Sequence, residues 1–369
     1  MSGSTFTLAE LGWNAAFSHD FEERKLQGSI PGRVASEHRG LYDVFTEEGL
    51  VEAAVAGRFR NQTDADARFP AVGDWAVIVP VKGEPKGIIH AVLAERSRFS
   101  RQAAGGRARV SGGRTQEQIV AANVDTVFIV GALDEGRSSN MRRIERYLTL
   151  AWNSGATPVV VLNKADLCHD ISGFVGSLDT VTAGVDVLVV SAVTKTGLDD
   201  LRKYVKPGST VAFLGSSGVG KSALINALLG FERQEVKEVR GRDYTGKHTT
   251  TSRELILVPG GGLVIDTPGM REIQMWAGDD DLGETFEDIS SLAEKCRFRN
   301  CRHRAEPGCA VKAAIDRGDL EADRLDSYER LRREIRHHEA RQAGSLRLEE
   351  KLRWKKIAKA QRTRKDEMT

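Results

Sequence analysis

The stretch GSSGVGKS at 215–222 follows the apolar run STVAFL and leads into KSALINALLG. Glycines at this spacing let the amides of Gly215, Ser216, Ser217, Gly218, Val219 and Gly220 turn inward around phosphates, while Lys221 reaches the β and γ phosphates and Ser222 holds Mg²⁺. The helix that follows adds the positive end of its dipole. A second group, NKAD at 163–166, closes the apolar run TPVVVL. There Asp166 can accept two hydrogen bonds from guanine N1 and N2, Asn163 can meet the ring edge, and Lys164 can lie across the base. Adenine offers no matching pair of donors, so an ATP-using enzyme is disfavoured.

Three further elements complete a GTP-hydrolysing constellation. Ser191 and Ala192 follow the apolar run VDVLVV, and the Ala192 amide can approach guanine O6. In LVIDTPG, Asp266 can hold Mg²⁺ through water and the Gly269 amide can meet the γ-phosphate. Upstream, GKHTTTSREL offers Thr249, Thr250 and Thr251. One of them is expected to close over Mg²⁺ and the γ-phosphate, Thr250 being favoured; the alternative is a plain strand start rich in Thr. Met270 stands where many GTPases place a water-orienting glutamine, and a thioether cannot do that work, so intrinsic hydrolysis is expected to be slow. His248 is the candidate to supply the function, against the alternative of a solvated loop histidine. The catalytic group read from the residues is therefore Lys221, His248 and Thr250.

A different chemistry is written into CRFRNCRHRAEPGC. Cys296, Cys301, His303 and Cys309 give three thiolates and one imidazole, a closed tetrahedral set for one structural Zn²⁺. The intervening Arg297, Arg299, Arg302 and Arg304 suggest a surface that meets phosphate. Cys168, the fourth cysteine, stands apart and reads as a packing residue.

These groups need elements to hold them. From about 119, apolar runs alternate with helical patterns: VDTVFIVGAL, then SSNMRRIERYLTLAWNSG, TPVVVL, VDVLVV, GLDDLRKYV, STVAFL, KSALINALLG, RELILV and GGLVIDTPG. Continuous apolar strands between helices require a mainly parallel sheet covered on both faces, with ligands at the carboxyl ends of its strands. The base-reading groups precede the phosphate loop, the reverse of the usual order. A circular permutation accounts for this, because joining the old termini and opening the chain elsewhere leaves sheet and site unchanged. Upstream, five short runs between 30 and 100, separated by turn-rich pieces such as EHRG and KGEPKG, suggest a small β-barrel of the OB type. A small open β-domain is the alternative. The fold class is thus α/β: a circularly permuted P-loop GTPase domain with an N-terminal OB-type β-barrel and a C-terminal zinc-binding helical domain. The expected divisions are an N-terminal extension (1–29), the barrel (30–102), a linker (103–118), the GTPase domain (119–285), the zinc-binding domain (286–345) and a basic tail (346–369).

Composition limits the partners. The 369 residues are 40% hydrophobic and 29% charged, with a net charge of +2. No apolar run approaches the length of a membrane span. The opening residues lack the pattern of a secretory signal, and the protein is expected in the cytoplasm. Charge is segregated: residues 328–369 hold 14 Lys or Arg against 7 Asp or Glu, a tail that either lies on RNA or is solvated.

The combination of a barrel with NKAD, SA, GSSGVGKS, GKHTTT, DTPG and the Cys/His cluster resembles one family, the bacterial small-ribosomal-subunit-dependent GTPase A, also known as RsgA (YjeQ/YloQ). Supporting stretches are GRVASEHRGLYDVF, GDWAVI, RSRFSRQ, AANVDTVFIV and RIERYLTLAWNSGATPVVVLNKADLC. The resemblance spans about residues 30–315. It implies action late in small-subunit maturation, near the decoding region, with GTP hydrolysis stimulated by the subunit and coupled to release. It also implies rRNA as partner, Mg²⁺ with GTP and one Zn²⁺ as cofactors, and a hydrophobic residue at the Met270 position. A monomer is the simplest expectation. The reading in competition is an RNA-binding module that uses GTP only as a conformational sensor, with negligible turnover.

Overall fold

A computed structural model describes residues 6–57, 68–102, 117–133, 141–230, 253–266, 285–304, 306–333 and 336. The chain divides into two compact units, one of Met1–Phe99 with Ile119–Ile273 and one of Ser100–Gln118 with Gln274–Thr369.

In the first unit, strands β1 (Ile30–His38), β2 (Leu41–Thr46), β3 (Gly49–Val55), β4 (Trp75–Pro80) and β5 (Lys86–Val92) pair in the order β1-β2-β3-β5-β4. A further β1–β4 pairing closes the ring. This is the five-stranded OB barrel, and closure removes the sheet edges that an open β-domain would leave. Val34, Tyr42, Val44, Ala53, Ala76, Ile78 and Ile89 fill its interior. The described residues before β1 are folded onto the barrel as well. Asn14 caps helix α1 (Ala15–Arg24) by accepting from the amides of Ala16 and Phe17, and the α1 side packs on the barrel through rings, Trp13 lying 4.7 Å from Trp75, centroid to centroid.

Strands β6 (Arg98–Gln102) and β7 (Glu117–Ala122) form a two-stranded sheet. The nucleotide-type sheet then uses β8 (Thr126–Ala132), β9 (Thr157–Asn163), β10 (Asp186–Val189), β11 (Thr210–Gly215), β12 (Glu254–Leu257) and β13 (Leu263–Asp266) in the order β10-β9-β8-β11-β13-β12. All neighbours are parallel except β12, which runs antiparallel to β13. Every residue of β8 and β11 is buried, as a sheet covered on both faces requires. Helices α2 (Met141–Asn153), α3 (Ile171–Leu178), α4 (Leu198–Arg202) and α5 (Lys221–Leu229) accompany it. One core cluster joins Phe128, Val130, Val159 and Phe213 of the strands to Leu224, Ile225 and Leu228 of α5.

The barrel is not tethered loosely to this sheet. Ser36 of β1 pairs with Glu254 of β12, making one continuous 11-stranded sheet. Arg33, also on β1 and 2% exposed, spans the junction: its Nε donates to Gly73 O (3.3 Å), one terminal nitrogen to Leu11 O, and the other to Asn123 O (3.0 Å) and Thr210 Oγ1 (2.8 Å). Burial pulls its guanidinium down to about 10, opposed by Asp125 and Asp74, so it stays charged at neutral pH.

The second unit contains α6 (Glu287–Ala293), α7 (Ala310–Arg317) and a helix over 322–333. Buried Arg324 donates to both carboxylate oxygens of Asp288 (3.0 and 3.2 Å) and to Thr285 O, with its guanidinium 4.3 Å from the Phe286 ring centre.

Candidate nucleotide site and metal centre

The strand order sets the site. β11 lies beside β8, which lies beside β9, so Gly215 and Asn163 end strands two places apart in one sheet. Val219 and Asn163 are both buried, and the Asn163 amide works in two directions. Its Nδ2 donates to Val219 O at 2.9 Å, and its Oδ1 accepts from the Ala192 amide at 3.2 Å. One side chain therefore joins the phosphate loop, the NKAD turn and the Ser191–Ala192 loop. Ser191, fully buried, donates from Oγ to Asp166 Oδ1, while the same oxygen accepts from the Thr194 amide at 3.1 Å. The Asp166 carboxylate is thereby oriented while staying exposed to a ligand. Lys164 sits in the left-handed region, φ 65°, at the start of the 3₁₀ turn Ala165–Leu167. Cys168, at the end of that turn, is half-buried, so the packing role read for it is only partial.

In the phosphate loop, Lys221 Nζ donates to Gly215 O and Ser216 O, both at 2.7 Å. This lysine is thus folded back over the loop that it serves. Ser217, Gly218 and Ser222 are exposed, and Gly220 (φ 96°) precedes the first turn of α5. A Cβ at Gly220 would stand 2.2 Å from Asn163 Nδ2, so glycine is required there by contact as well as by backbone conformation. Asp266 ends β13, the strand next to β11. His248, Thr249, Thr250, Thr251, Gly269 and Met270 lie outside the described residues.

Among the described residues, Cys296, Cys301, His303 and Cys309 bring their ligand atoms within 4.8 Å of one another. Cys296 Sγ lies 3.9 Å from Cys309 Sγ and 3.7 Å from His303 Nδ1, and Cys309 Sγ lies 3.5 Å from that nitrogen. Tetrahedral Zn²⁺ with its usual bond lengths gives edges of about 3.8 Å between thiolates and about 3.5 Å from thiolate to imidazole. The four residues fit that metal. Burial and the charge of Arg332 hold His303 below the ordinary imidazole value, so it is neutral and able to bind, while burial pushes the Cys301 thiol up to about 11, a proton that metal binding has to release. For Cys296, burial opposes ionisation, but hydrogen bonds from the amides of Ala310 and Val311 and from Cys301 and Cys309 together lower the thiol. His303 is in the left-handed region, φ 60°, a conformation uncommon outside glycine.

With both sites in view, the comparisons with known proteins decide the family. A profile of the RsgA GTPase family matches residues 100–276. The small ribosomal subunit biogenesis GTPase RsgA of Opitutus terrae is 44% identical over 97% of this chain and 98% of its own length. The chain belongs to the RsgA family. RsgA 2 of Lactiplantibacillus plantarum is also 44% identical, over 90% of each chain. In structure, YjeQ from Thermotoga maritima superposes with a TM-score of 0.63 at 27% identity, covering 83% of this chain and 98% of its own. YloQ, a circularly permuted GTPase, gives a TM-score of 0.60 at 24% identity and shares the fold. As a member of the RsgA GTPases the chain is a GTP-hydrolysing enzyme.

Two residues of this RsgA chain that touch the machinery have no mark in the sequence. Arg143, on α2, donates from Nη1 to Ser216 Oγ of the phosphate loop at 2.5 Å. It lies among charged residues of an amphipathic helix and carries no motif of its own. Arg33 likewise reads as one charge in a short strand, yet it grips Thr210, the first residue of the strand that ends in the phosphate loop.

Proposed function

We propose that this chain acts in late maturation of the small ribosomal subunit, binding the subunit and its rRNA, hydrolysing GTP under stimulation by the subunit and leaving once GDP has formed. The observation that carries the reading is the double use of Asn163, which makes one guanine-nucleotide site out of three loops. The names of the relatives, small ribosomal subunit biogenesis GTPases, supply the partner.

In this reading Asp166, oriented by Ser191, reads guanine N1 and N2, and Lys164 covers the base. The amides of 215–220 hold the phosphates, and Lys221 shifts from its carbonyl partners to the β and γ phosphates. Ser222, Thr250 and Asp266 hold Mg²⁺, which neutralises charge that develops on the phosphate oxygens. Gly269 senses the γ-phosphate, and His248 supplies what Met270 cannot. Cys296, Cys301, His303 and Cys309 bind one structural Zn²⁺. The divisions at 29, 102, 118, 285 and 345, a monomeric state and residence in the cytoplasm belong to the same proposal; among the described residues no helix is long and apolar enough to cross a membrane.

The test is GTP hydrolysis by the purified protein alone, with small subunits, with large subunits and with bulk RNA, in moderate salt. Stimulation by small subunits only supports the proposal. Equal slow rates in all four mixtures would sink it and leave the GTP sensor with negligible turnover.

A further inference from the structure

The loop between the first two metal-binding cysteines is four residues long, RFRN, and the chain from Arg297 to Arg304 holds four arginines and no carboxylate. Its backbone is pinned at both ends: the Arg297 amide donates to Gly308 O at 3.1 Å and the Cys301 amide to Phe298 O at 3.2 Å. Glu306 is drawn inward, accepting from the amides of Arg302 (3.0 Å) and Arg304 (2.9 Å). His303 and Cys309 are buried, each 6% exposed. On this fixed base Phe298 is 40% exposed, and Arg297, Arg299, Asn300, Arg302 and Arg304 of the same stretch are exposed as well, Arg304 reaching Glu329 Oε2 at 3.4 Å. The Arg297 guanidinium lies 5.5 Å from the centre of the Phe298 ring.

A lone exposed apolar residue needs no explanation. An exposed aromatic on a short pinned segment that carries four arginines, one of them with its guanidinium beside the ring, is a different object, because it matches a ligand that carries a flat apolar surface between negative charges. We infer that Phe298 is a stacking platform for an unpaired RNA base whose flanking phosphates are met by Arg297, Arg299 and Arg302. A duplex hides the faces of its bases, whereas a loop or single strand exposes them to aromatic side chains and guanidinium planes. The cluster thus selects single-stranded RNA over helical RNA. The inference rests on the proposal that the chain binds small-subunit rRNA, and it names the residue and the structural class of RNA that this contact takes.

The experiment uses the full-length, zinc-loaded protein and an unstructured RNA oligonucleotide with 2-aminopurine at its centre, alongside the same sequence annealed as a duplex. Phe298→Ala and Phe298→Leu should each weaken binding to the single strand by about 5- to 150-fold, the span that removal of one base–aromatic stack corresponds to. Phe298→Tyr and Phe298→Trp should retain it. The slope of log affinity against log salt should stay unchanged in the Phe298 variants and become shallower in Arg299→Gln, since phosphate contacts set that slope. The 2-aminopurine emission should fall on binding to the wild type and not to Phe298→Leu. Single-strand binding by Phe298→Leu equal to that of the wild type, with the same emission change, overturns the platform while leaving the rRNA proposal intact. Failure of the wild type to bind either this strand or small subunits overturns both. Zinc content measured on each variant keeps a collapsed metal centre from imitating the effect.

Discussion

Asn163 Nδ2 lies 2.9 Å from Val219 O, and its Oδ1 lies 3.2 Å from the Ala192 amide. The side chain that ends the base-reading strand is therefore also a strut under the phosphate loop. Loss of either end of a nucleotide from such a site should be felt at the other, because the two halves share one buried amide.

Gly220→Ala tests this strut by pressing on Asn163 itself. The new methyl meets Asn163 Nδ2 at 2.2 Å on a backbone with φ 96°. The substitution should displace Asn163 and cost about 1–3 kcal/mol of folding stability, as forced left-handed residues do. Titration with a fluorescent GDP analogue should show affinity reduced at least about tenfold, which corresponds to about 1.4 kcal/mol. Nucleotide binding equal to wild type would detach the two loops from one another.

Asp166→Asn should change what is read rather than whether anything is read. Ser191 Oγ already holds Oδ1 of the aspartate, so the amide will sit in the same place. It then offers a donor where guanine also offers donors, and guanine affinity should fall by about 10²-fold or more, in line with the cost of unpaired polar groups in a site built for hydrogen bonds. Xanthine, with a carbonyl in place of the 2-amino group, should gain. Competition among GTP, xanthosine triphosphate and ATP is the measurement, with ATP affinity expected not to move.

Arg33→Leu should destabilise the first unit by about 3–5 kcal/mol, the range for breaking a buried charged network. Leu11 O, Asn123 O and the Thr210 hydroxyl lose this donor together, while Gly73 O keeps Asn123 Nδ2 at 3.1 Å. Arg33→Lys keeps the charge but not the fork, and should recover only part of the loss. Urea unfolding of the two variants, followed by tryptophan emission, gives the comparison, since Trp75 lies 5.6 Å from the Arg33 guanidinium.

Cys309→Ala should release the metal and loosen α7 in one step. Cys309 is both a member of the Cys/His cluster and the N-cap of α7, its sulfur accepting from the Lys312 amide at 3.4 Å. The wild type should hold one zinc per chain, and the variant well under half. Amide exchange should speed up across 297–316 in the variant, because the energy of metal binding is here energy of local folding.

Much of the fold was readable because it repeats on a scale of a few residues. Continuous apolar runs such as TVFIVGA can only be strands buried on both faces, and they became β8 and its neighbours. The NKAD, SA and GSSGVGKS groups were readable because each chemistry needs particular side chains at the end of a strand. The parts that escaped are long-range or weakly periodic. Arg33 and Thr210 are 177 positions apart, and nothing local to either announces the other. Helix α3 carries glycines at 173 and 176 and shows little apolar spacing; Asp170, accepting from the Gly173 amide, caps it. The N-terminal stretch read as an extension because Trp13 and Phe17 find their partner, Trp75, only once the barrel exists.

The cyclic shift in chain order has a consequence for how the sheet comes into being. β8 pairs with β9 on one side and with β11 on the other, yet β11 is synthesised only after β9, β10 and the helices between them. The nascent chain thus carries a half-built sheet whose inner border, Thr126–Val130, waits for Val211–Gly215. An unfilled strand border is a template for wrong partners. The phosphate loop arrives on the strand that fills this gap, so the pairing of β11 with β8 brings the base-side and phosphate-side loops together in one event, and Asp266 follows on β13.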